Sequence, residues 1–247
     1  MPLPKENLRY FWVNISILLM LIFLPLFIFR PVISGYHMKK GRVFAFKGKW
    51  DRALSEYERA LSSLATDTEV YMASGLAHLG KNDYLEAIRQ YKQVLKLNPY
   101  HLSAHTNLAI IYMARKDYGK AIAEYQKALI INPADAETAN SLGVAYLRKG
   151  KVKEAIEKYQ YALRIKPEFA MAHYNLGVAY SNNYPEKAIE EYLKVIALDA
   201  NYVNAYNNLG VVYIRQGKKE KALKMWKKSL GINPDQPRIK KYLKHNQ

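Results

Sequence analysis

Cysteine is absent from all 247 residues, which excludes disulfides, cysteine-based zinc sites and a lipoprotein anchor. It does not select a compartment, because exported proteins without disulfides are common. Catalytic signatures are missing too: there is no HExxH pair, no glycine-rich phosphate loop and no nucleophile elbow. His101 and His105 stand four apart and share a helix face, but no third ligand is evident, so His105 reads as packing rather than metal binding. Glu190 and Glu191 are adjacent, and side chains one residue apart on a helix point about 100° apart, poor geometry for a working carboxylate pair. The sequence therefore predicts no enzyme, no metal and no cofactor.

Acidic residues are also scarce, 21 Asp and Glu against 38 Lys and Arg, for a net charge of +17. The imbalance is confined to the ends. Residues 30–52 carry +6 and residues 214–247 carry +9, while residues 53–213 hold 18 basic and 17 acidic side chains. Such placement points to terminal contacts with anionic surfaces, through Arg30, Lys39, Lys40 and Arg42 at one end. At the other end the candidates are Lys224, Lys227 and Lys228, followed by Arg238, Lys240, Lys241 and Lys244. Anionic lipid or an acidic protein fits this charge; nucleic acid fits less well, because no nucleic-acid motif accompanies it and Trp226 and Tyr242 are explained by packing.

Phe11 to Phe29 contains no charge, and 19 residues of helix at about 1.5 Å each span roughly 28 Å, close to the thickness of a bilayer's hydrocarbon core. The run predicts a single transmembrane anchor over 11–33 behind a short tail, 1–10. A cleavable signal peptide is the alternative, with Val32-Ile33-Ser34 as the cleavage site, but the run is long for one and Arg30-Pro31 intrude. The excess of basic residues after the run places the body on the cytoplasmic side by the positive-inside rule.

Internal repetition gives the architecture. Pro99, Pro133 and Pro167 follow one another at steps of 34 residues, and Pro234 lies a further 67 on. Tyr112, Tyr146, Tyr180 and Tyr213 are followed by Ala121, Ala155, Ala188 and Ala222, and four residues beyond each alanine stands Tyr125, Tyr159, Tyr192 or Trp226. This ladder resembles the tetratricopeptide repeat, a helix-turn-helix unit of about 34 residues with an aromatic-x2-Leu-Gly-x2-Tyr…Ala-x3-aromatic…Pro pattern. Leu142, Gly143 and Tyr146 match it, as do Leu176, Gly177 and Tyr180, and Leu209, Gly210 and Tyr213; Leu108, Ala109 and Tyr112 match with alanine for glycine. Tyr71, Gly75, Ala87 and Tyr91 fit more loosely, and Gly41, Phe44, Ala53 and Tyr57 mark a degenerate first unit.

The resemblance implies an all-α, right-handed superhelical solenoid over 34–236, with repeats at 34–67, 68–101, 102–135, 136–169, 170–202 and 203–236. A basic capping helix follows at 237–247, with Ile239, Tyr242 and Leu243 at helical spacing to cover the last repeat. The short stretch YSNNYPEKA is expected to be a turn one residue shorter than the others, with Pro185 opening the next helix.

Function in this family lies on the concave surface made by the first helix of each pair. That face carries Asn107, Ser141, Asn175 and Asn208, flanked by Asn140 and Asn207, with Ile110, Val144, Val178 and Val211 as an aliphatic row. An amide offers both donor and acceptor, so this row resembles an asparagine ladder that holds the backbone of an extended peptide, although asparagine is also common there as filler. The carboxylate clamp of chaperone-binding members is not supported, because Thr106 and Ile110, or Asn140 and Val144, occupy its Lys and Asn places. Arg148 and Arg215 add contacts to acidic side chains. The expected role is a membrane-anchored scaffold that captures protein partners and assists assembly of a complex; a permanent structural subunit is the rival.

Overall fold

The computed structural model describes residues 5–64 and 66–246, with side chains for 13–17, 28–64 and 66–244. Among the described residues there are thirteen helices and no strand. They are α1 (Lys5–Phe46), α2 (Trp50–Ser63), α3 (Thr68–Gly80), α4 (Tyr84–Leu97), α5 (Leu102–Ala114), α6 (Tyr118–Ile131) and α7 (Ala136–Arg148). The series continues with α8 (Val152–Ile165), α9 (Ala170–Tyr180), α10 (Pro185–Leu198), α11 (Val203–Arg215), α12 (Lys219–Ile232) and α13 (Pro237–Asn246). The chain divides into two compact units, Met1–Ala104 and His105–Gln247.

Local chemistry sets the boundaries. Asp67 caps α3 by accepting from the backbone N–H of Glu69 and Val70, and Asp83, Asp117 and Asp135 cap α4, α6 and α7 in the same way. Five of the turns inside helix pairs contain one residue with positive φ: Gly48, Asn82, Lys116, Gly150 and Gly217. The left-handed residue ends the first helix and aims the chain back along it. The turn before Pro185 differs: α9 has 11 residues where α7 and α11 have 13, and no left-handed residue is present in the segment between α9 and α10. The missing residue is thus taken from the helix end rather than from the turn, and Pro185 restarts the chain as the first residue of α10.

Within each pair a small residue faces an aromatic ring. A Cβ on Gly143 would lie 2.6 Å from Tyr159, one on Gly177 would lie 2.7 Å from Tyr192, and one on Gly75 would lie 2.6 Å from Tyr91. Close approach of backbone to ring is therefore what the Gly-to-aromatic spacing encodes. Ala121, Ala155, Ala188 and Ala222 are fully buried, as small residues must be where two helices touch. In the second unit α7 packs against α8 and α9, and α11 against α10 and α12. Ile239 and Leu243 of α13 join the core around Trp226, whose ring stacks on Tyr242 at 5.2 Å and 23°.

The expected membrane localisation is corrected by the structure. Residues 11–33 are not a separate element but part of α1, which runs unbroken to Phe46. Its described side chains interleave Asn14, Ser16 and Arg30 with Val13, Ile15, Ile17, Ile28 and Phe29; the side chains of residues 18–27, the middle of the apolar run, lie outside the described residues. Among the described residues no helix is long and apolar enough to cross a membrane. The single-pass anchor and the cytoplasmic orientation derived from it do not stand.

Candidate functional site

The first helices α7, α9 and α11, with the His105–Ala114 part of α5, present one face of the second unit, and the expected groove residues lie on it. Ile110 is 51% exposed, while Val144, Val178 and Val211 are half-buried. Arg148 and Arg215 are exposed at the helix ends, and Arg215 Nη1 donates to Asn182 Oδ1 at 3.0 Å. Asn107, Asn175, Asn207 and Asn208 are half-buried, but Asn140 is only 4% exposed. The valines and four of the five amides are thus exposed to a similar degree, with Ile110 more accessible and Asn140 buried.

Several of the amides make bonds that the sequence did not reveal. Asn175 Nδ2 donates to Asn140 Oδ1 at 2.9 Å, tying α9 to α7. Asn208 Nδ2 donates to the Tyr174 hydroxyl at 3.1 Å, tying α11 to α9, and lies 3.5 Å from the Tyr192 hydroxyl. Asn207 belongs to a different knot, donating to Gln236 Oε1 at 2.7 Å and accepting from Ser229 Oγ at 2.6 Å, which fastens the start of α13. Asn175 and Asn208 therefore join neighbouring repeats, Asn175 through one acceptor and Asn208 through two hydroxyls. An amide has two N–H donors and an oxygen with two lone pairs, so one N–H and the oxygen remain on Asn175, and the oxygen remains on Asn208.

Hydroxyls beneath this face follow a register. The Tyr125 hydroxyl is hydrogen-bonded to Ser141, which partly offsets the upward push of burial on its pKa, and Asn208 does the same for Tyr192. Tyr159 occupies the equivalent place, but its hydroxyl has no partner among the described residues because Asn175 is turned toward Asn140. Burial raises the Tyr159 pKa well above the ordinary tyrosine range.

A second constellation pairs histidines of first helices with glutamates of second helices. His37 Nδ1 lies 2.7 Å from Glu56 Oε2, His105 Nδ1 lies 2.6 Å from Glu124 Oε2, and His173 Nδ1 lies 2.5 Å from Glu191 Oε2. Each carboxylate also meets a cation three residues on: Arg59, Lys127 or Lys194. Reading His105 as a packing residue anticipated its burial but missed its partner. The missed signal is a two-repeat period: the three histidines are spaced by 68 residues, and only their repeats have Glu before the second-helix aromatic, where the others have Gln90, Lys158 or Met225. Among the described residues no group of three or more His, Asp or Glu side chains is placed to hold a metal.

The basic ends differ from each other. Lys40 Nζ lies 3.0 Å from Glu56, and Arg42 Nη2 lies 2.9 Å from Glu69, so two of the N-terminal cations are engaged by carboxylates. Arg30 and Lys39 are exposed. Lys224, Lys227, Lys228, Arg238, Lys240, Lys241 and Lys244 are all exposed on α12 and α13.

Comparison with known proteins agrees with this geometry. Tetratricopeptide repeat models match residues 72–136, 124–157 and 203–236, and a TPR repeat model matches 145–183 and 185–217. The crystal structure of a MamA protein is 32% identical over 68% of this chain and 92% of that one, with a TM-score of 0.63. MamA from Desulfovibrio magneticus RS-1, residue 41 to the end, is 25% identical over 68% of this chain and 96% of its own, with a TM-score of 0.64. YrrB, described as a TPR protein with an unusual peptide-binding site, has the same fold at 22% identity, covering 76% of this chain and 97% of its own with a TM-score of 0.63. No curated protein matches the sequence. The chain belongs to the tetratricopeptide repeat family, and its fold is that of a protein–protein interaction scaffold.

Proposed function

We propose that the first-helix face of the His105–Gln247 unit captures an extended segment of a partner protein, without covalent chemistry, and so assists the assembly or recruitment of a protein complex. The observation that carries this is the juxtaposition of half-accessible aliphatic side chains at Ile110, Val144, Val178 and Val211 with amides that retain hydrogen-bonding capacity at Asn107, Asn175 and Asn208. An extended chain needs both an apolar floor and partners for its own N–H and C=O groups.

The bonding pattern decides how the proposal is tested. Asn175→Ala or Asn208→Ala removes a bond between repeats, at a cost of roughly 1 kcal/mol, and so confuses stability with binding. Asn107 makes no side-chain hydrogen bond among the described residues, which makes Asn107→Ala the cleaner probe. Photo-crosslinking residues placed at Ile110 and Val178 of the full chain are expected to trap a partner segment in cells, identified by mass spectrometry, while one at the exposed Glu157 of α8 does not. Equal trapping from Glu157 would remove the first-helix face from the mechanism.

A further inference from the structure

Acids on or beside α6, α8 and α10 of the His105–Gln247 unit pair with lysines of the same helix, although Lys153, Lys158 and Lys187 form no ion pair among the described residues. Lys120 pairs with Asp117 at 2.7 Å and Lys127 with Glu124 at 2.8 Å around α6, Lys151 with Glu154 at 3.2 Å at the start of α8, and Lys194 with Glu191 at 2.8 Å on α10. On α12 and α13 this stops. Glu220 and Asp235 are the only acidic residues from Lys218 to Lys244, and neither forms an ion pair among the described residues. Lys224, Lys227, Lys240 and Lys244 make no hydrogen bond, ion pair or ring contact with any described residue. Lys224 and Lys228 are four apart on α12, and Lys240 and Lys244 four apart on α13, so each pair lies along one helix face about 6 Å apart.

The rest of this end narrows the chemistry of what it meets. No large apolar side chain of α11, α12 or α13 is exposed, so the surface has nothing to insert into an apolar partner. Its rings are consumed by packing: Trp226 is 1% exposed and stacks on Tyr242, leaving no platform for a nucleobase. Arg238, the cation best shaped for bidentate recognition, lies over the Tyr242 ring at 5.5 Å and donates to its hydroxyl. What remains is a set of lysine ammonium groups, point charges that recognise anions without shape selection.

We propose that the α12–α13 surface docks an Asp- and Glu-rich segment of another protein, held by Lys224, Lys227, Lys228, Lys240 and Lys244. The contact is ionic and separate from the first-helix face, so one partner can occupy each. Carboxylates spaced along such a segment replace the internal acids that α6, α8 and α10 supply to their own lysines. Attraction of this kind speeds encounter and is weakened by salt.

Binding of the full chain to a labelled short poly-glutamate peptide, followed by fluorescence anisotropy, tests the proposal. Affinity is expected to fall by about tenfold or more between ~50 and ~200 mM salt, the range over which several ion pairs are screened. Lys224→Glu with Lys227→Glu, Lys240→Glu and Lys244→Glu should abolish binding, while the four Lys→Arg changes preserve it; circular dichroism of both variants checks that the fold is kept. Unchanged peptide affinity after charge reversal overturns the proposal, as does salt-independent binding. Tighter binding of a mixed-sequence DNA duplex or RNA than of the peptide at the same salt also overturns it and assigns the surface to nucleic acid.

Discussion

Replacing His173 with Ala should destabilise α9 and α10 more than replacing His37 destabilises its own pair, and the structure gives the reason. His173 Nε2 lies 2.9 Å from the Pro167 carbonyl and Nδ1 lies 2.5 Å from Glu191 Oε2. A carbonyl only accepts, so Nε2–H donates to it, and the histidine–glutamate contact is closed by a second proton shared between Nδ1 and the carboxyl. Glu191 is 7% exposed, and without His173 its one remaining cation is Lys194, at 2.8 Å on a largely solvated side chain. A hydrogen bond to a charged group contributes about 1.5–3 kcal/mol, and stranding a buried charge costs about 3–5 kcal/mol. With Lys194 retained, His173→Ala is expected to cost about 2–4 kcal/mol, the range between those two limits. Glu56 keeps both Lys40 at 3.0 Å and Arg59 at 3.3 Å, so His37→Ala should fall at the low end. A double-mutant cycle with His173→Ala and Glu191→Ala, read by urea denaturation and by hydrogen exchange of α9 and α10, isolates the pair; coupling of about 1.5–3 kcal/mol is expected. A coupling below about 0.5 kcal/mol, the size of ordinary non-additivity, would refute the reasoning, as would a larger loss for His37→Ala.

Other perturbations follow from the same contacts. Gly177→Ala places a methyl carbon 2.7 Å from the Tyr192 ring and should cost about 1–3 kcal/mol by overpacking, seen as a lower urea midpoint. Tyr159→Phe, which removes an unpartnered buried hydroxyl, should leave thermal stability unchanged or raised, whereas Tyr125→Phe, which strands its Ser141 contact, should lower it by about 1 kcal/mol. The His37 hydrogen bond holds the Glu56 carboxyl below the usual glutamate range against the upward push of burial, with help from Lys40. Its contribution to stability is therefore present above the ordinary glutamate titration, near pH 4.5, and is lost as pH falls through the lowered folded value. Glu56→Gln should flatten that acid limb in a pH series of unfolding midpoints, and an unchanged limb would disprove the assignment.

The repeat was legible in the chain because it is a matter of local spacing. Alanine or glycine at a helix crossing and an aromatic sixteen residues after Gly143 or Gly210 specify which faces meet, and Tyr159 and Trp226 lie against those glycines as the ladder requires. The left-handed residues at Gly150 and Gly217 are equally local, since glycine reaches positive φ without a steric penalty. The altered turn before Pro185 was visible as a missing residue, but whether helix or turn gave it up depended on packing. The apolar run at Phe11–Phe29 shows how far a local signal can mislead: length and lack of charge suggested an anchor, and the helix found there is continuous with the first repeat.

What the sequence determined by itself was the family and its all-α helix pairs, because both depend on periodicity along one helix. What only the tertiary structure decided was where the polar groups spend their hydrogen bonds. Asn175 could have faced solvent, Tyr159 or Asn140, and the spacing between α7 and α9 selects Asn140; His173 could have been a packing ring, and the approach of α10 makes it half of a buried pair. Hydrogen-bond partners are fixed to within a few tenths of an ångström by how neighbouring helices sit, and residue order does not carry that information.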